Sequence, residues 1–161
     1  MPYNRMNTGR PKPGPDNQPV PFSSCYLDMP NLPLYSFGYG MSYTAFEYES
    51  LILDRDVITK DGEVRATVTL RNTGSVAGKE AVQLYLRDPV ASVVRPVQQL
   101  IDYRKVSLEP GETAEVVFTV REEQLRFYDM QGRQISEPGE FQISTGYADH
   151  LILTKTFEYR G

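Results

Sequence analysis

From residue 44 onward, apolar and polar positions alternate with a period of two. Val64, Ala66, Val68 and Leu70 alternate with Arg65, Thr67, Thr69 and Arg71, as in a strand with one buried and one wet face. Val82, Leu84 and Leu86 alternate with Gln83, Tyr85 and Arg87, which puts Gln83 and Tyr85 on the outward side. Ala114, Val116, Phe118 and Val120 make another strand, and Phe141, Ile143 and Thr145 a shorter one before Gly146. The stretches 46–53, 100–108 and 151–159 bring the number of strands to about seven.

Turn chemistry divides these strands. Asp61-Gly62 lies between the first two and reads as a two-residue hairpin loop. Asn72-Thr73-Gly74 closes the second. Glu109-Pro110-Gly111-Glu112 and Glu137-Pro138-Gly139-Glu140 look like two copies of one turn. In each, proline presets φ and glycine supplies the positive φ of a type II turn. No 3.6-residue stripe is sustained; 121–127 has room for one short helical turn. The chain from 44 to 161 is therefore expected to be all-β, an antiparallel β-sandwich of the immunoglobulin or fibronectin type III kind.

Residues 1–43 differ in texture. They hold eight of the twelve prolines and five of the eleven tyrosines. Proline removes a backbone donor and disfavours helix before it, so an extended segment is expected. Its apolar content exceeds that of a solvated linker. The segment reads as a strap, with residues from about 22 to 43 packed on the sandwich and 1–21 held less tightly or by a neighbouring chain. The chain divides into 1–43 and 44–161. In the strap, Tyr35, Phe37, Tyr39 and Tyr43 flank Gly38 and Gly40; these rings either staple the strap to the core or form an interdomain contact. The loop from Asp88 to Gln99 is long for a hairpin. Its Arg95 either pairs locally with Asp88 or caps carbonyls, or else the loop docks on another body.

Charge and composition narrow the chemistry. The 161 residues carry a net charge of −4, which argues against a nucleic-acid partner. No apolar run approaches the ~18 residues of a membrane span, and no cationic start precedes an apolar stretch. Cys25 and His150 are each the only residue of their type. One of each cannot build an internal disulfide, a cysteine-based zinc site or a triad. No metal and no cofactor is expected; Cys25 reads as a half-buried inert thiol and His150 as a surface residue.

The stretch 35–44, Tyr-Ser-Phe-Gly-Tyr-Gly-Met-Ser-Tyr-Thr, resembles the signature that ends the α/β domain of family 3 glycoside hydrolases. Asn7-Thr8-Gly9-Arg10-Pro11 resembles the segment upstream of it. Asn72-Thr73-Gly74, Glu80-Ala81-Val82-Gln83-Leu84-Tyr85-Leu86, Arg95-Pro96, Pro110-Gly111-Glu112 and Glu137-Pro138-Gly139 follow in that family's order. The resemblance implies the tail of the α/β domain plus the fibronectin type III-like domain of a β-glucosidase. The parent's catalytic aspartate and glutamate would both lie upstream, so no catalytic residue is expected here. Retaining glycosidases use two carboxylates about 5–5.5 Å apart, whereas Asp54, Asp56, Asp61, Glu109, Glu112 and Glu137 fall on turns and polar faces. The resemblance also implies a periplasmic or secreted parent, and as partners its catalytic domains or a second copy meeting through residues 1–43.

Two rival classes fit the fold. A carbohydrate-binding module would use outward tyrosines such as Tyr85 and Tyr103, but tryptophan, the favoured platform for a sugar ring, is absent; direct sugar binding is not expected. An adhesion or scaffold domain fits the sandwich but leaves the strap without a purpose.

Overall fold

A computed structural model describes residues 34, 35, 37–147 and 150–161. The readings of residues 1–33, Cys25 among them, lie outside these. Ten strands make up the described fold: β1 Phe46–Leu53, β2 Val57–Thr59, β3 Glu63–Asn72, β4 Gly78–Arg87, β5 Gln99–Leu108, β6 Thr113–Arg121, β7 Phe127–Tyr128, β8 Gln134–Ile135, β9 Gly139–Tyr147 and β10 His150–Arg160. A three-stranded sheet, β1-β3-β6, faces a five-stranded sheet, β2-β10-β9-β4-β5, and β7-β8 forms a separate ribbon. The fold is the expected sandwich. The three strands beyond seven are β2, β7 and β8, each two or three residues long, too short to show a period.

The core follows the alternation. Val64, Ala66, Val68 and Leu70 of β3 pack with Val82, Leu84 and Leu86 of β4, and with Phe118, Phe141, Ile143 and Phe157. Burying each of these side chains other than Ala66 contributes roughly 1.5–3 kcal/mol. β3 and β6 pair in uninterrupted antiparallel register from Glu63↔Arg121 to Arg71↔Thr113. A 3₁₀ turn at Glu122–Leu125 occupies the place expected for a helical turn.

Three expectations need correction. β1 and β3 are indeed neighbours, but Asp61-Gly62 is not a two-residue loop between them. The connection first visits the other sheet, where β2 pairs in parallel with β10, Val57 against Glu158. The sandwich is thus not wholly antiparallel. Asp61, not glycine, holds φ 60° in that turn, and the Gly62 N–H donates to the Thr59 carbonyl at 2.8 Å. Third, the two Pro-Gly-Glu turns differ. Gly111 has φ +78°, while Gly139 is not among the glycines of positive φ. Gly139 already belongs to β9, opposite Tyr159, and extended backbone needs no left-handed residue.

Candidate functional site

The strap runs onto β4 and is held at two points before it becomes β1. The first is Gly38, at φ +80°. Its carbonyl accepts a bond from Gln83 Nε2 at 2.9 Å, and Gln83 Oε1 accepts from the Tyr85 hydroxyl at 2.6 Å. A Cβ at this position would stand 2.2 Å from Gln83 Oε1 and 2.7 Å from the Tyr85 hydroxyl. Both the backbone angle and the space therefore demand glycine.

The second point is Thr44. Its hydroxyl donates to Asn72 Oδ1 at 2.7 Å, and its side chain lies over Gly74 and Gly78, where added Cβ atoms would come within 2.1 and 2.5 Å of it. Asn72 is fully buried at the end of β3. Its Nδ2 donates to the Val76 and Leu108 carbonyls, and its Oδ1 also accepts the Gly74 N–H. One side chain thereby ties together strap, β3, the following turn and β5.

Before and between these points the apolar side chains turn outward. Leu34, Phe37 and Met41 are exposed, as are Tyr35 at 64%, Tyr39 at 49% and Tyr43 entirely. The Tyr35 and Tyr39 rings lie 5.1 Å apart, tilted by 31°. The expectation that this stretch packs its apolar side chains on the sandwich is therefore corrected for residues 34–43. Its contacts are made by a glycine carbonyl and a threonine. The face of β4 that it crosses is already filled by Gln83 and Tyr85, which are 8% and 2% exposed. Those two residues lie on the outward side of β4 as expected but are covered there by the strap; Tyr85 offers no ring to a sugar, while Tyr103 on β5 is exposed.

Beside the strap sits a buried carboxylate. Glu80, on the inward side of β4, accepts from the Tyr48 hydroxyl at 2.9 Å and the Tyr147 hydroxyl at 3.4 Å through Oε1. Burial, and then the Glu80 charge, raise both phenols, and carry Tyr48 well above the ordinary tyrosine range. Tyr39 of the strap is close enough to Tyr147 to add to its shift.

Of the candidate contact residues, Arg95 does not join the rings. It is turned inward, donating to Asp88 Oδ2 at 2.8 Å and to the Leu125 carbonyl at 3.0 Å, with its guanidinium 4.9 Å from the centre of the Phe127 ring. The side chains of this pair are 7% and 4% exposed. The Ser92 N–H donates to Glu137 at 2.9 Å; the Ser92 side chain first, and then this bond, hold the Glu137 carboxyl below its ordinary range. The length of the 88–99 loop is thus used in reaching the 3₁₀ turn and the approach to β9. His150, at the start of β10, is exposed.

Two surface depressions contain acidic residues. In one, Asp102 and Glu123 lie with Arg104 and Arg121, and Arg104 bonds Asp102. In the other, Asp56 and Glu140 accompany Glu158, whose carboxyl is lowered by its bond to Arg160.

Residues 80–148 match the family described as the fibronectin type III-like domain. A periplasmic β-glucosidase of Salmonella typhimurium is 40% identical over 156 residues, 97% of this chain and 20% of the relative. The chain contains a fibronectin type III-like domain of the kind found in family 3 β-glucosidases. A β-glucosidase of Bacteroides ovatus is 46% identical over 129 residues, 79% of this chain and 17% of its own length. A Listeria innocua β-glucosidase, solved in complex with laminaribiose, superposes with a TM-score of 0.84 at 37% identity over 99% of this chain and 22% of that one. The chain spans about a fifth of the curated relatives it matches. Among the described residues no helix is long and apolar enough to cross a membrane.

Asn72 and Glu80 were missed as site residues by the sequence reading. Glu80 left a signal: it precedes Val82, Leu84 and Leu86 in the inward register, where a charge is anomalous. Asn72 left none, because asparagine before Thr-Gly reads as an ordinary turn residue.

Proposed function

We propose that this fibronectin type III-like domain is the non-catalytic C-terminal part of a β-glucosidase, and that its strap is the surface on which the catalytic body rests. The observation that carries this reading is the strap itself. Six large apolar side chains within ten residues point to solvent, while the backbone beneath them is held by Gly38 and Thr44. A contiguous apolar patch fixed in place is a protein interface. The relatives supply an occupant, since four-fifths of the Salmonella enzyme lies outside the matched region.

The parent hydrolyses β-glucosidic bonds by a retaining double displacement, with both carboxylates on the body. The domain buttresses that body and adds no reacting group; the carboxylates in its surface depressions are set beside arginines or on open strands. The parent is periplasmic or secreted, as the Salmonella relative is by its description. When the body is absent, a second copy covers the same rings, and a dimer so formed is a product of their exposure. The purified chain should release no nitrophenol from an aryl β-glucoside above the buffer rate. Turnover that survives repurification and scales with the chain would overturn the non-catalytic assignment.

A further inference from the structure

β5 is the edge of the five-stranded sheet, beside the strand that the strap crosses. Alternation along β4 sends Lys79, Ala81, Gln83 and Tyr85 to the outer face. Their register partners on β5 are Ser107, Lys105, Tyr103 and Leu100. Residues directly opposite in an antiparallel pair share a face, with Cβ atoms about 4.5–5.5 Å apart. Tyr103 therefore stands against Gln83, the residue that holds the Gly38 carbonyl. Gln83 and Tyr85 are covered, but Tyr103 is 62% exposed, and Lys79, Ala81 and Lys105 are exposed on the same face. Among the described residues neither lysine forms an ion pair. A single exposed tyrosine on a strand is ordinary. This one lies across a shared anchor from the outward rings of Tyr35, Phe37 and Tyr39, and two unpaired cations border it. The chain upstream also leaves from this face, since Leu34 is four residues before Gly38, at most about 14 Å of chain. A body that precedes the strap is thus tethered over this part of the sheet.

We propose that the docking surface extends from the strap across the outer face of β4 onto β5, with Tyr103 buried against the catalytic body and Lys79 and Lys105 meeting carboxylates on it. This rests on the strap being an interface. It adds that the contact takes in the sheet itself, and that the body is apolar opposite Tyr103 and acidic opposite the lysines. An aromatic centre with a charged rim is the usual build of a protein interface.

Hydroxyl-radical oxidation and lysine acetylation, each read residue by residue by mass spectrometry, test this on intact proteins. The 161-residue chain, diluted until monomeric, is compared with the full-length parent enzyme. In the parent, oxidation of Tyr103 and acetylation of Lys79 and Lys105 should be at least about 5-fold slower than in the chain, and oxidation of Tyr35, Phe37 and Tyr39 should slow with them. If the strap rings are protected while Tyr103 or either lysine stays as reactive as in the chain alone, the strap reading stands and its extension onto β5 fails. Strap rings left reactive in the parent would overturn both.

Discussion

The inward side of β4 and the outward side of the strap are both apolar, yet they meet opposite fates. Val82, Leu84 and Leu86 are buried to 2% exposure or less, while Tyr35, Phe37 and Tyr39 are half-exposed or more. The difference lies in what stands opposite. β4 has the three-stranded sheet across from it; the strap has β4 below and nothing of the described chain above. A period of two says which residues share a side. It does not say what covers that side.

The sharpest way to break this contrast is to charge the inner faces. Val68→Asp or Leu84→Asp should unfold the domain, because an unpaired buried carboxylate costs several kcal/mol against a total stability of about 5–15 kcal/mol. Thr67→Asp, on the opposite face of β3, should be mild. Gln83→Asp should not be mild, since Gln83 is buried and bonded to the strap; a loss of about 1–3 kcal/mol is expected. Urea unfolding followed by circular dichroism reads all four. Equal damage at positions 67 and 68 would mean that the faces of β3 are misassigned.

Next in size is the knot at the strap's inner end. Asn72→Ala leaves the Val76 and Leu108 carbonyls and the Gly74 N–H without their side-chain partner. It should cost about 2–3 kcal/mol in the same urea titration. A loss below about 0.5 kcal/mol would mean that Asn72 does not hold the junction.

Much of the sandwich was legible because its signals are local. The 3₁₀ turn, the Gly111 turn and the alternation of β3 each depend on a few adjacent residues. What was not legible depends on partners distant in sequence. Gln83 and Tyr85 look outward within β4, and only the arrival of Gly38, some 45 residues earlier, buries them. β2 is too short to show which sheet it joins. The strap's composition correctly marked it as apolar, but composition cannot tell a side chain that faces the core from one that awaits another surface. For Arg95, both the local pairing and the docking role could be framed from sequence; the ion pair with Asp88 accounts for its position in the fold.

A smaller effect separates charge pairs of the domain from residues 34–43 of the strap, which carry no charge. Glu122 is held below its ordinary range first by its bonds to Arg126 and then by Ser136; Asp129 is held low by the Arg133 N–H and side chain. A carboxyl depressed in the folded state contributes stability above the pKa of the unfolded chain and loses it as pH falls through the folded value. Tm should therefore be flat above the ordinary carboxyl range and fall below it. Glu122→Gln should make that fall shallower, read by Tm from neutral pH to pH 2. An unchanged slope would mean that the Arg126 pair contributes nothing to acid stability.

The smallest effect on stability should come from releasing the strap's outer anchor. Gly38→Ala introduces both an unfavourable φ and a clash with Gln83. Because the strap buries few side chains, Tm should move by no more than about 2 °C, while chymotrypsin cuts at Tyr35, Phe37 or Tyr39 several-fold faster. Unchanged cleavage would show that Gly38 is not an anchor.

The central claim, that the strap is a prepared surface for the body of a β-glucosidase, is met most directly by calorimetric titration of the chain into the separately produced remainder of that enzyme. The chain should bind, and the triple substitution Tyr35→Ser, Phe37→Ser, Tyr39→Ser should abolish measurable binding while leaving the chain's own Tm within about 2 °C of the original. Undiminished binding by the triple variant, or a collapse of its Tm, would contradict the account and return the rings to the role of core staple.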